Sequence, residues 1–505
     1  MERHLPVIRA EHDSLDNYLR SVLTAEELAR PLLVSFTQWD FAVAAVGETV
    51  MTLHGMGSDM SLALWSDETS LRDVGWQVHH TVASMLRSRT IDQQLRKGLL
   101  KAGIPKSAFV PVRRPWAAVG EIPRCETLNR SSIRTLTYRG APLGRGILEV
   151  PPGADVPVTD DYLWPRKYVE AAARSYAFVF DQACRVIEER HSTAVFAYNG
   201  RFLHDSAVAA AAARYGLPVL AYDTGGLETD FDLTIDATHD WSALQKRMIT
   251  MYKAWPAPEG EQLGASWFLD RSSHAEANNA RFTGGQELGR GIDRSEDEVV
   301  VVYFSSSGDE IAELDLDWAD YFNGQPGALL AVAQECRRLG YRFVVRTHPH
   351  KRYKPERDVQ DWHQAVAASQ PDLHLDEYSE VDSYTLMSQA DVVVTYGSTT
   401  GIEAGFAGRP VIVMGPSAYD ELGCAVRART VDELGQALQT RSAGTRVDAI
   451  PYGLMMKRRG FAYSYVTREE DGSRSLAGVP IVEPRELVRH ISHAINRAAK
   501  KRLVR

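Results

Sequence analysis

The sequence is poor in cysteine, in net positive charge and in long apolar runs, and each shortage closes off a class of function. Its four cysteines, Cys125, Cys184, Cys336 and Cys424, stand far apart in a chain of 505 residues. Zinc and dithiol motifs need close pairs, so neither is expected, and the low density suits a reducing compartment. The formal net charge is -9. A general nucleic-acid binder needs a basic field to neutralise phosphates, so nucleic acid is not an expected partner. No stretch approaches the roughly 18 apolar residues of a membrane span. The start Met1-Glu2-Arg3-His4-Leu5 also lacks a charged segment followed by an apolar core. A soluble cytoplasmic protein is expected.

A hydrophobic share of 44% in a chain of this length can fill more than one core. Residues 31–36, 62–65, 194–198 and 217–222 read as short buried strands, with helical stretches at 41–53, 78–102, 165–190 and 204–215 between them. A strand, a helix and a second strand within 30 residues require a crossover and hence a parallel pair. Residues 299–304, 342–346, 373–375, 391–395 and 410–413 repeat the alternation, the pattern of a doubly wound parallel sheet. The expected architecture is α/β, with two Rossmann-like doubly wound lobes facing a central cleft. The first lobe is expected over 1–256, with an irregular insertion near 111–157. A linker over 257–295 follows, because Pro256-Ala257-Pro258-Glu259-Gly260-Glu261 reads as punctuation. The second lobe is expected over 296–482, and an amphipathic basic helix over 483–505.

Chemistry concentrates where strands of the second lobe end. Arg346-Thr347-His348-Pro349-His350-Lys351 follows one apolar run, and Tyr396-Gly397-Ser398-Thr399-Thr400-Gly401-Ile402-Glu403 follows another. A strand end opening into a helix presents backbone amides to an anion, and glycine lets a phosphate approach closely. Gly397, Ser398, Thr399 and Thr400 are therefore candidate donor-binding residues, and Glu403 could accept hydrogen bonds from both hydroxyls of a ribose. The competing reading is an ordinary helix cap with a first-turn acid. His348, stiffened by Pro349, could donate to a phosphate oxygen or protonate a leaving group, with Arg346, His350 and Lys351 adding positive charge. A solvated basic loop is the alternative. Ser306, Ser307 and Gly308 after the first strand of that lobe could add amides and hydroxyls.

In the first lobe, Asp223 and Asp40 lie at strand ends, from which a general base could act, and Asn199 and Arg201 are polar groups of the same kind. Two Asp-x-Asp triplets, Asp230-Phe231-Asp232 and Asp315-Leu316-Asp317, follow no clear strand and read as surface acids, so no metal site is expected.

Residues 298–430 resemble the donor half of a GT-B glycosyltransferase, in particular the bacterial capsule and surface-polysaccharide transferases related to the Kdo-, sialyl- and glycerophosphate-transferring groups. The matching pieces are Arg346-x-His348-Pro349, Gly397-Ser398-Thr399-Thr400-Gly401-Ile402-Glu403-Ala404 and Gly408-Arg409-Pro410-Val411. The resemblance implies that His348 meets the donor phosphate, that Ser398, Thr399 and Thr400 hold the nucleotide, and that Glu403 contacts its ribose. The first lobe is similar to the same families at Tyr198-Asn199-Gly200-Arg201-Phe202 and at the Asp223-Thr224-Gly225-Gly226 turn, although family members commonly carry Glu near Asp223. What it implies is transfer of a sugar from a nucleotide-sugar co-substrate to a glycan or lipid-linked acceptor, with no further cofactor. The basic tail, Arg497, Lys500, Lys501, Arg502 and Arg505, offers a peripheral membrane contact. A sugar-nucleotide 2-epimerase, a teichoic-acid-type glycerophosphotransferase and a non-catalytic nucleotide- or glycan-binding scaffold are the rival readings.

Overall fold

Short β-branched runs flanked by helices set the architecture, and two compact units result: Met1–Pro151, Val158–Thr238 and Arg459–Arg505 in the first, Pro152–Pro157 and His239–Arg458 in the second. The computed structural model describes residues 14–36, 40–65, 78–111, 122–123, 127–148, 163–227, 229–235, 240–274, 283–306, 321–354, 356–470 and 472–482.

In the first unit β1 (Pro31–Ser35), β2 (Ser61–Leu64), β3 (Ala194–Tyr198) and β4 (Val219–Thr224) run parallel in the order β2-β1-β3-β4, and β5 (Asp230–Thr234) closes antiparallel on β4. The order reverses direction between β1 and β3, where an open α/β sheet leaves its crevice. Leu33, Phe196, Leu220, Tyr222 and Phe231 meet Val43, Val46 and Val50 of the helix Asp40–Gly55 in one core.

The second unit is a fully parallel sheet of β6 (Val300–Phe304), β7 (Arg342–Arg346), β8 (Leu373–Leu375), β9 (Val392–Thr395), β10 (Val411–Val413) and β11 (Val426–Arg427), ordered β8-β7-β6-β9-β10-β11. Numbered within the unit this is 3-2-1-4-5-6, the dinucleotide-binding order, with its switch point between β6 and β9. Side chains alternate along each strand, and both faces are covered. Val300, Val302 and Phe304 pack with Trp267, Phe268, Ile402 and Leu454, while Val301 and Tyr303 pack with Leu329, Val332, Trp362 and Leu434.

The chain then returns to the first unit. Strand β12 (Phe461–Ala462) pairs antiparallel with β5, and β13 (Val466–Arg468), β14 (Arg474–Leu476) and β15 (Val479–Ile481) form a small antiparallel sheet. The return is anchored by Glu48 in the helix Asp40–Gly55. Its carboxylate, buried with 2% exposure, accepts the backbone N–H groups of Ser464, Tyr465 and Val466 at 2.8, 2.8 and 3.0 Å.

Three sequence expectations are corrected. The proposed linker begins with the helix Ala257–Ser272, whose Pro256 and Pro258 sit at the cap and in the first turn, positions that tolerate proline. Gly264 of that helix faces Gly453 of the helix Arg446–Arg458, and a Cβ on Gly453 would lie 2.1 Å from the Gly264 carbonyl oxygen. These glycines permit close helix packing rather than flexibility. The unit boundaries fall at His239 and Arg459, so residues 459–482 belong to the first unit. The insertion expected to be irregular contains the short helices Arg130–Arg134 and Leu143–Leu148. The proposed basic helix 483–505 lies outside the described residues. No described helix is long and apolar enough to cross a membrane.

Replacing Glu48 by Ala should remove the acceptor of all three amides, of which that of Val466 is buried, and lower the unfolding free energy by about 2 kcal/mol. Urea denaturation checks this, with Glu48→Gln as an intermediate control, since a glutamine keeps one of the two accepting oxygens.

Candidate functional site

Strand register places three loops of the second unit side by side. Phe304 of β6 is level with Arg346 of β7 on one side and Thr395 of β9 on the other. The strands therefore stop together, and the segments starting at Ser305, Thr347 and Tyr396 emerge at about 4.8 Å spacing across the switch point.

The Tyr396–Thr400 loop is shaped from beneath. Gly397 has φ +107°, and a Cβ there would lie 1.9 Å from the Pro416 carbonyl oxygen, so only glycine fits. Ser398 caps the helix Thr399–Phe406: its Oγ accepts the Thr400 N–H at 3.3 Å, and its own N–H donates to Thr395 Oγ1 at 2.9 Å. The Tyr419 hydroxyl, packed where a Gly401 Cβ would stand 2.1 Å away, donates to the Ser398 carbonyl at 2.6 Å. Ser398 is thus a helix cap, and the same cap holds the helix N-terminus, with its partial positive charge, at the switch point.

The neighbouring loop runs from β7 into a 3-10 turn, Pro349–Tyr353. His348 N–H donates to Ser305 Oγ at 2.8 Å, and His348 Nδ1 accepts the His350 N–H at 3.1 Å. An accepting Nδ1 carries no proton, so the neutral ring holds its proton on Nε2 as a donor. Burial, reinforced by His350, Lys351, Arg346 and Lys354, pushes the His348 imidazole down to about 3. The folded chain therefore holds His348 as a neutral ring with an N–H to donate, and not as the imidazolium that protonation of a leaving group would need. Lys351 Nζ lies 5.6 Å from the Trp362 ring centre, and Arg352 Nε donates to the Pro349 carbonyl at 3.0 Å.

Arg346, expected to bind the donor, is 2% exposed and lies beneath the loop. Its guanidinium donates to the carbonyls of Asp376 and Ser379, both at 3.2 Å, and so fixes the turn after β8. Glu403 is also engaged. Its Oε1 accepts from Arg271 Nε at 2.5 Å and from the Tyr384 hydroxyl at 3.2 Å, so it is not the unengaged carboxylate that the ribose expectation pictured. Ser306 is clamped through its backbone by the Gln325 amide, and its buried Oγ has no hydrogen-bond partner among the described residues, an orphaned donor just past the end of β6. Ser307 and Gly308 lie outside the described residues.

In the first unit, Asn199 (φ 53°) and Gly200 (φ 73°) turn the chain sharply after β3. Asn199 Nδ2 donates to Asp223 Oδ2 at 3.3 Å. Asp223 stands opposite Asp232 across the β4–β5 ladder. Burial raises the Asp223 carboxyl, Asp232 adds to the rise, and Arg459 and Arg201 oppose it. A carboxyl raised in this way is a better proton acceptor than an exposed aspartate. Asp232, expected to be a surface acid, is only 4% exposed because 230–234 is a strand. Its alternation with Phe231 and Leu233 was the available signal, weakened by the brevity of the run. Asp205 is likewise buried, with its carboxyl held well above the usual range by desolvation. Nothing local in the sequence marks Asp205, Arg459 or Gln325. Asp40 opens the helix Asp40–Gly55, and its side chain lies outside the described residues. Among the described residues no group of three or more His, Cys, Asp or Glu could hold a metal ion.

Residues 328–442 match the family model described as capsule polysaccharide biosynthesis protein. This stretch contains both the His348 and the Ser398 loops. Among solved structures the chain is similar to a Thermosulfurimonas dismutans KpsC beta Kdo 2,4 transferase, at 16% identity over 59% of this chain and 87% of that one, with a TM-score of 0.35. It is also similar to UDP-GlcNAc 2-epimerase from Neisseria meningitidis bound to UDP-GlcNAc (10% identity, 84% and 97% coverage, TM-score 0.29). A third is Acinetobacter baumannii MurG (11% identity, 86% and 96% coverage, TM-score 0.27). No curated protein matches it in sequence.

His348 binds no proton in the folded chain until the pH approaches 3, whereas the unfolded chain takes one up near 6.5. Stability is therefore complete above 6.5 and falls as the pH is lowered, by at most about 1.4 kcal/mol per pH unit for this one group. His348→Gln should flatten that part of the curve in chemical denaturation between about pH 6.5 and 4. Gly397→Ala should force the loop away from Pro416 and lower the melting temperature measurably.

Proposed function

We propose that the chain is a GT-B-type glycosyltransferase that moves a sugar from a nucleotide-sugar donor to a surface-polysaccharide or related glycan acceptor, free or lipid-linked. One observation carries the reading. The stretch matched by the capsule-biosynthesis family holds two anion-suited loops level with each other at the switch point of a parallel sheet in dinucleotide-binding order.

In this reading the donor phosphate lies between the amides at the start of the helix Thr399–Phe406 and the Nε2–H of His348. Charge develops on the phosphate oxygens as the bond from the anomeric carbon to the phosphate oxygen breaks, and oriented donors stabilise it without reorganising. Lys351 adds positive potential, and His350, its ring beside that of His348, is a further polar contact. The orphaned Ser306 hydroxyl supplies a further donor to the same oxygens. Glu403, held by Arg271 and Tyr384, meets the ribose with the carboxylate oxygen that those two groups leave available. Asp223 in the first unit takes the proton of the acceptor hydroxyl that forms the new glycosidic bond, with Asn199 orienting its carboxylate and Arg201 beside it. The phosphate charge is assigned to these groups and not to a resident metal. The basic tail, Arg497, Lys500, Lys501, Arg502 and Arg505, supplies a peripheral contact with an anionic membrane surface.

A thermal-shift series with CMP, UDP, GDP and CDP tests the donor site, because a ligand that binds only the folded chain stabilises it. At least one should raise the melting temperature, and His348→Ala should weaken that nucleotide about 10- to 100-fold, the scale of one charge-assisted hydrogen bond. No shift with any nucleotide at millimolar concentration would overturn the reading. Turnover of a nucleotide sugar without acceptor would replace it with the epimerase. Transfer should also persist in EDTA.

A further inference from the structure

Behind the His348 loop lies a polar cluster that the proposed chemistry does not use. Thr347, with 0% exposure, is the residue immediately before His348. Its Oγ1 lies 2.8 Å from Trp362 Nε1 and 2.9 Å from His374 Nε2. An indole N–H can only donate, so Trp362 occupies a lone pair of the hydroxyl. The second lone pair could accept from His374, but among the described residues the hydroxyl proton has no acceptor other than His374 Nε2, which assigns a bare Nε2 and a proton on Nδ1 to the neutral ring. The backbone of the loop is held beside this anchor. Thr347 N–H donates to the Leu375 carbonyl at 2.8 Å, and His348 N–H donates to Ser305 at 2.8 Å.

We infer that Thr347 and His374 are positioning residues for His348: a buried hydroxyl clamp that holds the loop in place only while His374 is neutral with its proton on Nδ1. A protonated His374 would present an N–H to an oxygen that already accepts one. The Thr347 hydroxyl proton would then need another acceptor in a place closed to water. The groups facing His374 are known from each neighbouring element. His363, on the helix Glu356–Ser369, has its ring 5.6 Å away and bonds Glu377 Oε2 at 2.9 Å. Arg346 lies on β7, and Asp376 and Glu377 follow β8. Burial, His363 and Arg346 lower the His374 imidazole, and Asp376 and Glu377 work against them. The clamp is therefore closed at neutral pH and opens on acidification. The inference rests on the proposed role of His348 only in its consequence for ligand binding.

Histidine-selective nitrogen-15 labelling of the full chain tests the clamp without ligand. Ring resonances are followed from about pH 8 to pH 4.5, a range in which His348 itself stays neutral. In the wild type His374 should show a bare Nε2 at neutral pH, and the His348 resonances should move with the midpoint of His374. In His374→Gln, whose side-chain oxygen accepts the same hydroxyl but does not titrate, the movement of His348 at that midpoint should disappear. In Thr347→Val the two midpoints should separate. A proton on His374 Nε2 at neutral pH, or an unchanged His348 transition in His374→Gln, would overturn the inference.

CMP and UDP affinities supply the second readout. For whichever binds, acidification should weaken the wild type roughly tenfold more than His374→Gln, the scale set by one unpaired buried hydroxyl. Equal losses in the two proteins would overturn the coupling. If none of CMP, UDP, GDP and CDP binds at any pH, the donor-site reading falls while the ring resonances still decide the clamp.

Discussion

The site in the second unit depends on one constraint: parallel strands consume their backbone hydrogen-bonding groups along their length and leave them unpaired only at their ends. Because Phe304, Arg346 and Thr395 are level, those ends coincide, and the chain must find new partners for the emerging amides at one place. It does so with side chains. Thr395 Oγ1 accepts the amide of Ser398, Ser305 Oγ accepts that of His348, and the Gln325 amide accepts that of Ser306. The polar residues that look like ligand contacts in the sequence are in large part the residues that finish the sheet.

This division of labour sorts the charged groups. Arg346 and Glu403 are both nearly inaccessible and both spoken for, one by carbonyls of the following turn and the other by Arg271 and Tyr384. A buried charge must be paired or hydrogen-bonded, and these two are, which makes them supports of the loops. His348 is different. Its Nδ1 is committed within the loop, which fixes the tautomer and directs its N–H to Nε2. A neutral donor held in one orientation stabilises developing negative charge over a wide pH range, whereas an imidazolium would be lost above its titration point.

The elements that the sequence made legible are those whose pattern is local. The strand at 194–198 and the helix at 165–190 are found almost to the residue, because an apolar run bounded by turn residues, or an apolar stripe of helical period, needs no distant partner to be read. The loops after β7 and β9 were visible for the same reason. The misreadings have a common cause. Pro256 to Gly260 looks like a linker until the helix Arg446–Arg458 is seen against it, and Asp232 looks like a surface acid until β4 and β12 flank its strand. The three-stranded sheet at 466–481 was missed because its strands are three residues long and gain their stability from residues such as Gly47 and Leu95, more than 350 positions away.

By itself the sequence determined the α/β class, the positions of the two anion-suited loops and the glycine on which one of them turns. These follow from backbone preferences and apolar periodicity, which act over a few residues. Only the tertiary structure decided that Arg346 and Glu403 are already engaged, that Asp223 stands opposite Asp232, and that Thr347 is pinned between Trp362 and His374. Those facts concern which polar groups meet after the strands are ordered and the chain has returned at Arg459. Burial and hydrogen-bond partnership are properties of that meeting, and no single stretch of sequence contains them.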